Sequence, residues 1–208
     1  MAEIENIIIN KAACWGAERL INIDTQRQYS VIDKKKMVFN LEIFIINITK
    51  TLIIYGCSLI FGNILHTLMM HLSFIATKRF SYGLHAKNST VCTLYSIGVF
   101  VFLPFVAGNI TINSYLAYFV FIIIIALHAL YAPADTQAMP LLGAKKRALL
   151  KKRSVIAVIV LMALTSIISD PVIKTLILMG SVCQTLNILP ITYKILGRSV
   201  KNYEKYEF

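Results

Sequence analysis

The sequence predicts an all-α fold: a polytopic membrane helical bundle of about six transmembrane spans behind an amphipathic N-terminal region. Three observations carry this reading. The 208 residues are 57% hydrophobic with a mean hydropathy of +0.69, and 15% are charged, against about 25% in soluble domains. The charges are segregated, so that residues 91–133 and 175–193 contain no Asp, Glu, Lys or Arg. Such runs match the ~20 apolar residues needed to cross a hydrocarbon core, where the backbone must satisfy its own hydrogen bonds.

Taken in order, the chain divides into an N-terminal region, 1–36, and a membrane bundle, 37–208, forming one integral membrane domain. Ile4, Ile7, Ile8, Leu20 and Ile21 give residues 1–33 apolar faces, with Glu18, Arg19 and Arg27 interspersed. This predicts one or two helices lying on the membrane surface or packing under the bundle. The opening Met-Ala-Glu-Ile-Glu is acidic where a signal peptide would be basic, so no cleaved signal is expected. Residues 37–77 suit two short spans with a turn near Phe61-Gly62-Asn63, or one long span and an interfacial helix. Glu42 and Lys50 stand eight apart, roughly on one helix face, either toward a polar cavity or snorkelling at an interface.

Residues 78–90 form a polar, basic island. Spans follow at 91–108, 114–131, 154–169 and 172–193, joined by an uncharged turn at 108–113, a loop at 132–153 and a turn at Ser169-Asp170-Pro171. Positive charge falls at Lys34–Lys36, in the island, at Lys145–Arg147 and Lys151–Arg153, and in the tail. Six spans put all of these on one side, the cytoplasm, with both termini inside. The net charge of +11 follows from this topology, and nucleic acid is not expected as a partner.

The island holds the candidate chemistry, His85 and Cys92. A Cys nucleophile needs a base or cation to hold it as thiolate, and His is the usual partner. On one continuous helix, residues seven apart are separated by about 10.5 Å along the axis, too far for a hydrogen bond. A chain break is therefore expected between them. Gly83 permits unusual backbone angles, and Asn88, Ser89 and Thr90 can all cap a helix. Cys92 would then fall in a first helical turn, where the dipole favours a thiolate and backbone amides can stabilise an oxyanion. Lys78, Arg79 and Lys87 add positive potential. By itself, a His and a Cys at this spacing also arises by chance.

Cys14, Cys57 and Cys183 read as packing residues, and there is no Cys-x-x-Cys pattern. His66, His71 and His128 read as packed or hydrogen-bonded side chains. No metal or cofactor is expected.

The island and a second segment together resemble a known family. Lys78-Arg79-x-x-x-Gly83-x-His85-Ala86 followed by Cys92, and Tyr131-Ala132-Pro133-Ala134-Asp135-Thr136 followed by a basic cluster, are similar to motifs of the accessory gene regulator protein B (AgrB) family. The resemblance covers nearly the whole chain, although Ser81-Tyr82-Gly83-Leu84 has one glycine where many members have two. It implies a Gram-positive cell-membrane cysteine endopeptidase acting on an AgrD-like quorum-sensing propeptide, with Cys92 as nucleophile and His85 as base. It also implies thiolactone or lactone closure of the product, and a homodimer. Asp135, Asn88, Ser81 and Gln137 are alternatives for orienting His85, and Arg79 and Gly83 are candidate contacts. Asp135 could instead cap a helix or pair with the basic cluster. The rival reading is a small peptide transporter or exporter lined by Glu42, Lys50, His66 and His71. A membrane scaffold is a third.

Overall fold

The computed structural model describes residues 2–23, 29–84, 89–137 and 139–207, and among these there is no strand. An N-terminal helix, α1 (Ala2–Ile23), packs along α2 (Val31–Ile60). Ser30 caps α2 by accepting from the Asp33 amide at 3.1 Å. The helix therefore starts ahead of Lys34–Lys36 and carries them in its first turns, earlier than the expected boundary at 37. Glu42 accepts from the Asn10 side chain, so it joins α1 to α2.

The expected hairpin is present. Gly62 takes φ 67°, and α3 (Ile64–Ser81) returns from it. Asn63 Nδ2 donates to Val101 O at 2.8 Å, fastening this turn to the next segment. That segment is one helical path: α4 (Ser89–Ile97), a π-helical turn (Gly98–Phe102) and α5 (Leu103–Ala107). Pro104 has no N–H to offer the carbonyl four residues back. The helix widens just upstream, where the Leu103 amide reaches Gly98 O.

Asn113 caps α6 (Ser114–Tyr131) and Asp170 caps α8 (Pro171–Ile188). Between them lies α7 (Ala144–Ile167). Both basic clusters expected in a loop at 132–153 are helical instead. The loop stops at Gly143, φ 93°, and the Ala-, Lys-, Arg- and Leu-rich run beyond it favours helix. The expected last span, 172–193, is broken at Leu189, because Pro190 cannot continue α8 and opens α9 (Pro190–Ile195). A short 3-10 turn, Asn202–Lys205, follows.

The expected six spans correspond to six long helical segments. Four of them are long and apolar enough to cross a membrane by themselves, Asp33–Ile60, Thr90–Ala107, Ser114–Tyr131 and Pro171–Ile188. The other two, α3 and α7, are not. The first holds His66, His71, Lys78 and Arg79, and the second begins with six basic residues in ten. Each has about 14 apolar-rich residues left, about 21 Å of helix against a ~30 Å core.

Both of these polar helices pack inward. The α3–α8 crossing is the closest, since a Cβ on Gly180 would lie 2.0 Å from Ser73 Oγ and 2.3 Å from Met70 O. Small residues at such crossings let membrane helices approach until their backbones nearly touch. Met70, Phe74, Phe100 and Leu176 fill one core, and Phe121, Val158, Leu161 and Ile177 fill another. His128, fully buried, ties three helices together through Ser154 Oγ at 2.7 Å and Thr185 Oγ1 at 3.2 Å. Large apolar side chains such as Ile60, Leu116 and Phe119 point outward, as a lipid-facing surface requires.

Candidate active site

The expected break between the two candidate residues falls on residues 85–88, which lie outside the described residues. Helix α3 ends at Ser81, Tyr82 and Gly83 take φ 56° and 104°, and α4 begins at Ser89. His85 and Asn88 lie outside the described residues, as does Lys87. Cys92 is the fourth residue of α4, in its first turn, and is half-buried. This is where backbone amides without helical partners gather.

The segment leading to His85 is held from two sides. From α8, Gln184 Nε2 donates to Ser81 Oγ at 2.7 Å and to Tyr82 O at 2.6 Å. The Leu84 amide donates to Asn187 O at 3.0 Å. From the loop after α6, the Ala134 amide donates to Ser81 O at 2.9 Å and its carbonyl accepts from the Gly83 amide at 2.8 Å. Gly83 is required twice over. Its φ is one that side chains rarely adopt, and a Cβ there would stand 2.6 Å from Asn187 O.

Lys78 is the cation this arrangement selects. It lies in the polar island, beyond the four apolar spans. Its Nζ donates to Leu84 O at 3.4 Å, stands 5.2 Å from the centre of the Phe74 ring, and is within electrostatic reach of Cys92. Burial lowers its pKa to about 8, against the opposing pull of the Cys92 thiolate. An ammonium held here adds positive potential around Cys92. Arg79, one residue on, is exposed.

Other sequence candidates have different engagements. Asp135 is buried, and its carboxylate accepts from the Asn202 amide at 2.9 Å and the Tyr203 amide at 2.8 Å. It thus caps the C-terminal 3-10 turn, one of the alternatives left open by the sequence. Ser81 Oγ donates to Thr77 O, and Gln137 Nε2 donates to Ser199 Oγ. His71 meets Tyr55 Oη at 3.2 Å and packs on Phe100, whereas His66 lies beside Gly108. These two histidines go to different neighbours.

Sequence reasoning overlooked Gln184, Asn187 and the C-terminal segment. A signal for Gln184 was present, because a polar side chain in an uncharged run needs an internal partner, whereas Asn187 acts through its backbone carbonyl, which no side-chain pattern marks.

A family model described as Accessory gene regulator B matches residues 17–188. The chain belongs to the accessory gene regulator B family. A relative named AgrB-like from Listeria welshimeri serovar 6b is 42% identical over 172 residues, covering 83% of this chain and 84% of that one. Another AgrB-like relative, from Clostridium acetobutylicum, is 44% identical over 176 residues, 85% of this chain and 84% of its own. The accessory gene regulator protein B of Staphylococcus haemolyticus is 33% identical over 161 residues, 76% and 83% of the two chains. No solved structure matches. Both motifs, 78–92 and 131–136, lie within the residues that the family model matches, and Ala134 joins them through its bonds to Ser81 and Gly83.

Proposed function

We propose that this AgrB protein is a membrane cysteine endopeptidase that matures an AgrD-like quorum-sensing propeptide. The observation that carries the reading is Cys92 in the first turn of α4, within electrostatic reach of the Lys78 ammonium. In this reading the Cys92 thiolate attacks a backbone carbonyl of the propeptide. His85, having taken the Cys92 thiol proton as general base, returns that proton to the departing amine as the tetrahedral intermediate collapses and the peptide C–N bond breaks. The N-terminal part stays on Cys92 as a thioester. A Cys or Ser within that peptide then attacks the thioester, closes a thiolactone or lactone ring and releases Cys92. Exchange of this kind retains acyl-transfer energy that hydrolysis would dissipate, and a site among membrane helices disfavours water.

The site faces the cytoplasm, where the basic segments gather. The basic first turns of α7 steer the acidic C-terminal part of the propeptide. The partners are the propeptide, the bilayer and a second copy of the chain.

Co-expression with the propeptide followed by mass spectrometry tests this. Wild type yields the cleaved, cyclised peptide and a trappable Cys92 thioester, and Cys92→Ala and His85→Ala yield neither. Cleavage retained in Cys92→Ala would sink the mechanism and favour a transporter or scaffold.

A further inference from the structure

The C-terminal segment lies beyond the residues matched by the family model, yet it is bonded into the loop that holds the active-site turn. Asp135, Gly143 and Arg147 dock it. The two carboxylate oxygens of Asp135 accept from the successive amides of Asn202 and Tyr203, with Asn202 Nδ2 adding a longer bond at 3.4 Å. Lys201 turns into this position with φ 54°, a left-handed conformation that a lysine keeps only when its surroundings hold it. Further along, Glu207 receives two parallel bonds from the Arg147 guanidinium, at 2.7 and 2.8 Å, and a third from the Gly143 amide. The same guanidinium stacks over the Tyr203 ring at 3.8 Å. A bidentate Arg–carboxylate pair fixes geometry as well as charge.

The connection inward is short. Asp135 follows Ala134, whose backbone amide and carbonyl are both committed to Ser81 and Gly83. Tyr193 Oη donates to Asp135 O at 2.9 Å from the side of α9. Asp135 therefore carries the docked tail on its side chain, and its neighbour carries the turn on its backbone. His85 comes two residues after Gly83 in the chain.

We infer that residues 201–207 are a latch, and that Asp135 is a positioning residue through which the latch holds the Tyr82–Leu84 turn for catalysis. Undocking the tail frees the Asp135 carboxylate, loosens the 132–135 loop and lets the turn leave its place against α8. The catalytic consequence rests on the peptidase reading; the structural consequence does not.

The test uses the full chain in lipid nanodiscs beside two variants, a truncation after Val200 and Asp135→Ala. Hydrogen exchange is read at peptides covering residues 80–84, with α6 and α8 as internal controls. The expected result is at least tenfold faster exchange at the Gly83 and Leu84 amides, with the two helices as protected as in wild type. Turnover of the propeptide falls at least tenfold with KM within about twofold, and a synthetic peptide of residues 199–208 restores both in the truncated chain. Asp135→Asn, which keeps an acceptor oxygen, falls between wild type and Asp135→Ala. Unchanged exchange at residues 80–84, or faster exchange with unchanged turnover, would overturn the latch. If wild type itself cleaves no propeptide, the peptidase reading fails, and the exchange arm still decides whether the tail holds the turn.

Discussion

The two sides of the polar island are built differently. On the α3 side, Ser81 through Leu84 are fixed by bonds from Gln184, Asn187 and Ala134, and Ser81, Gly83 and Leu84 are buried. On the α4 side, Cys92 sits on a nine-residue helix that leaves Val91, Leu94 and Tyr95 more than half exposed. This helix packs mainly on α2 and runs into the π-helical turn. Polar bonds therefore define one side and lipid-facing apolar surface the other. The contrast suits a thiol that must accept and release an acyl group beside a turn that must stay in place.

Disturbing the fixed side should have the largest effect. Gly83→Ala puts a methyl group against Asn187 O in a backbone conformation costing about 1–3 kcal/mol for a side-chain-bearing residue. A displaced turn should lower propeptide cleavage by about 100-fold, measured by mass spectrometry at matched membrane levels of protein. Gln184→Leu leaves the Ser81 hydroxyl with one partner fewer and the Tyr82 carbonyl without its Gln184 donor. Net loss of about 1–2 kcal/mol should appear as a lower Tm in detergent, with a smaller fall in cleavage.

Lys78→Met removes the cation between the two sides. We expect Cys92 alkylation near pH 7 to slow by about tenfold in a protein whose other three cysteines are replaced by serine. The sign with pH follows from Lys78 titrating at about 8. The ammonium assists the thiolate below that value and is lost as pH rises through it. Wild type and variant should therefore differ most below pH 8 and converge above it. An unchanged difference up to pH 10 would remove Lys78 from this role. The smallest effect belongs to the outward face of α4, where Leu94→Ala should leave stability within about 0.5 kcal/mol and cleavage within about twofold.

Much of the fold could be read locally. Uncharged runs marked the apolar helices, Phe61-Gly62-Asn63 marked the hairpin, and Gly83 marked the turn that ends α3. Local chemistry was misjudged at three places, the Ser30-capped start of α2, the helical start of α7 beyond Gly143 and the stop at Pro190. Membrane hydropathy dominated the reading there and hid ordinary helix signals.

By itself the sequence determined that the chain is a helical membrane protein of the AgrB family, because hydrophobic length and short-range motifs are properties of consecutive residues. Only the tertiary structure decided what Asp135, Gln184, Asn187 and Glu207 do. Their partners are 60 to more than 100 residues away in the chain, and a hydrogen bond depends on where two groups meet in space. The same holds for Lys78, whose Nζ reaches Leu84 O in a turn held from α8 and from the loop after α6.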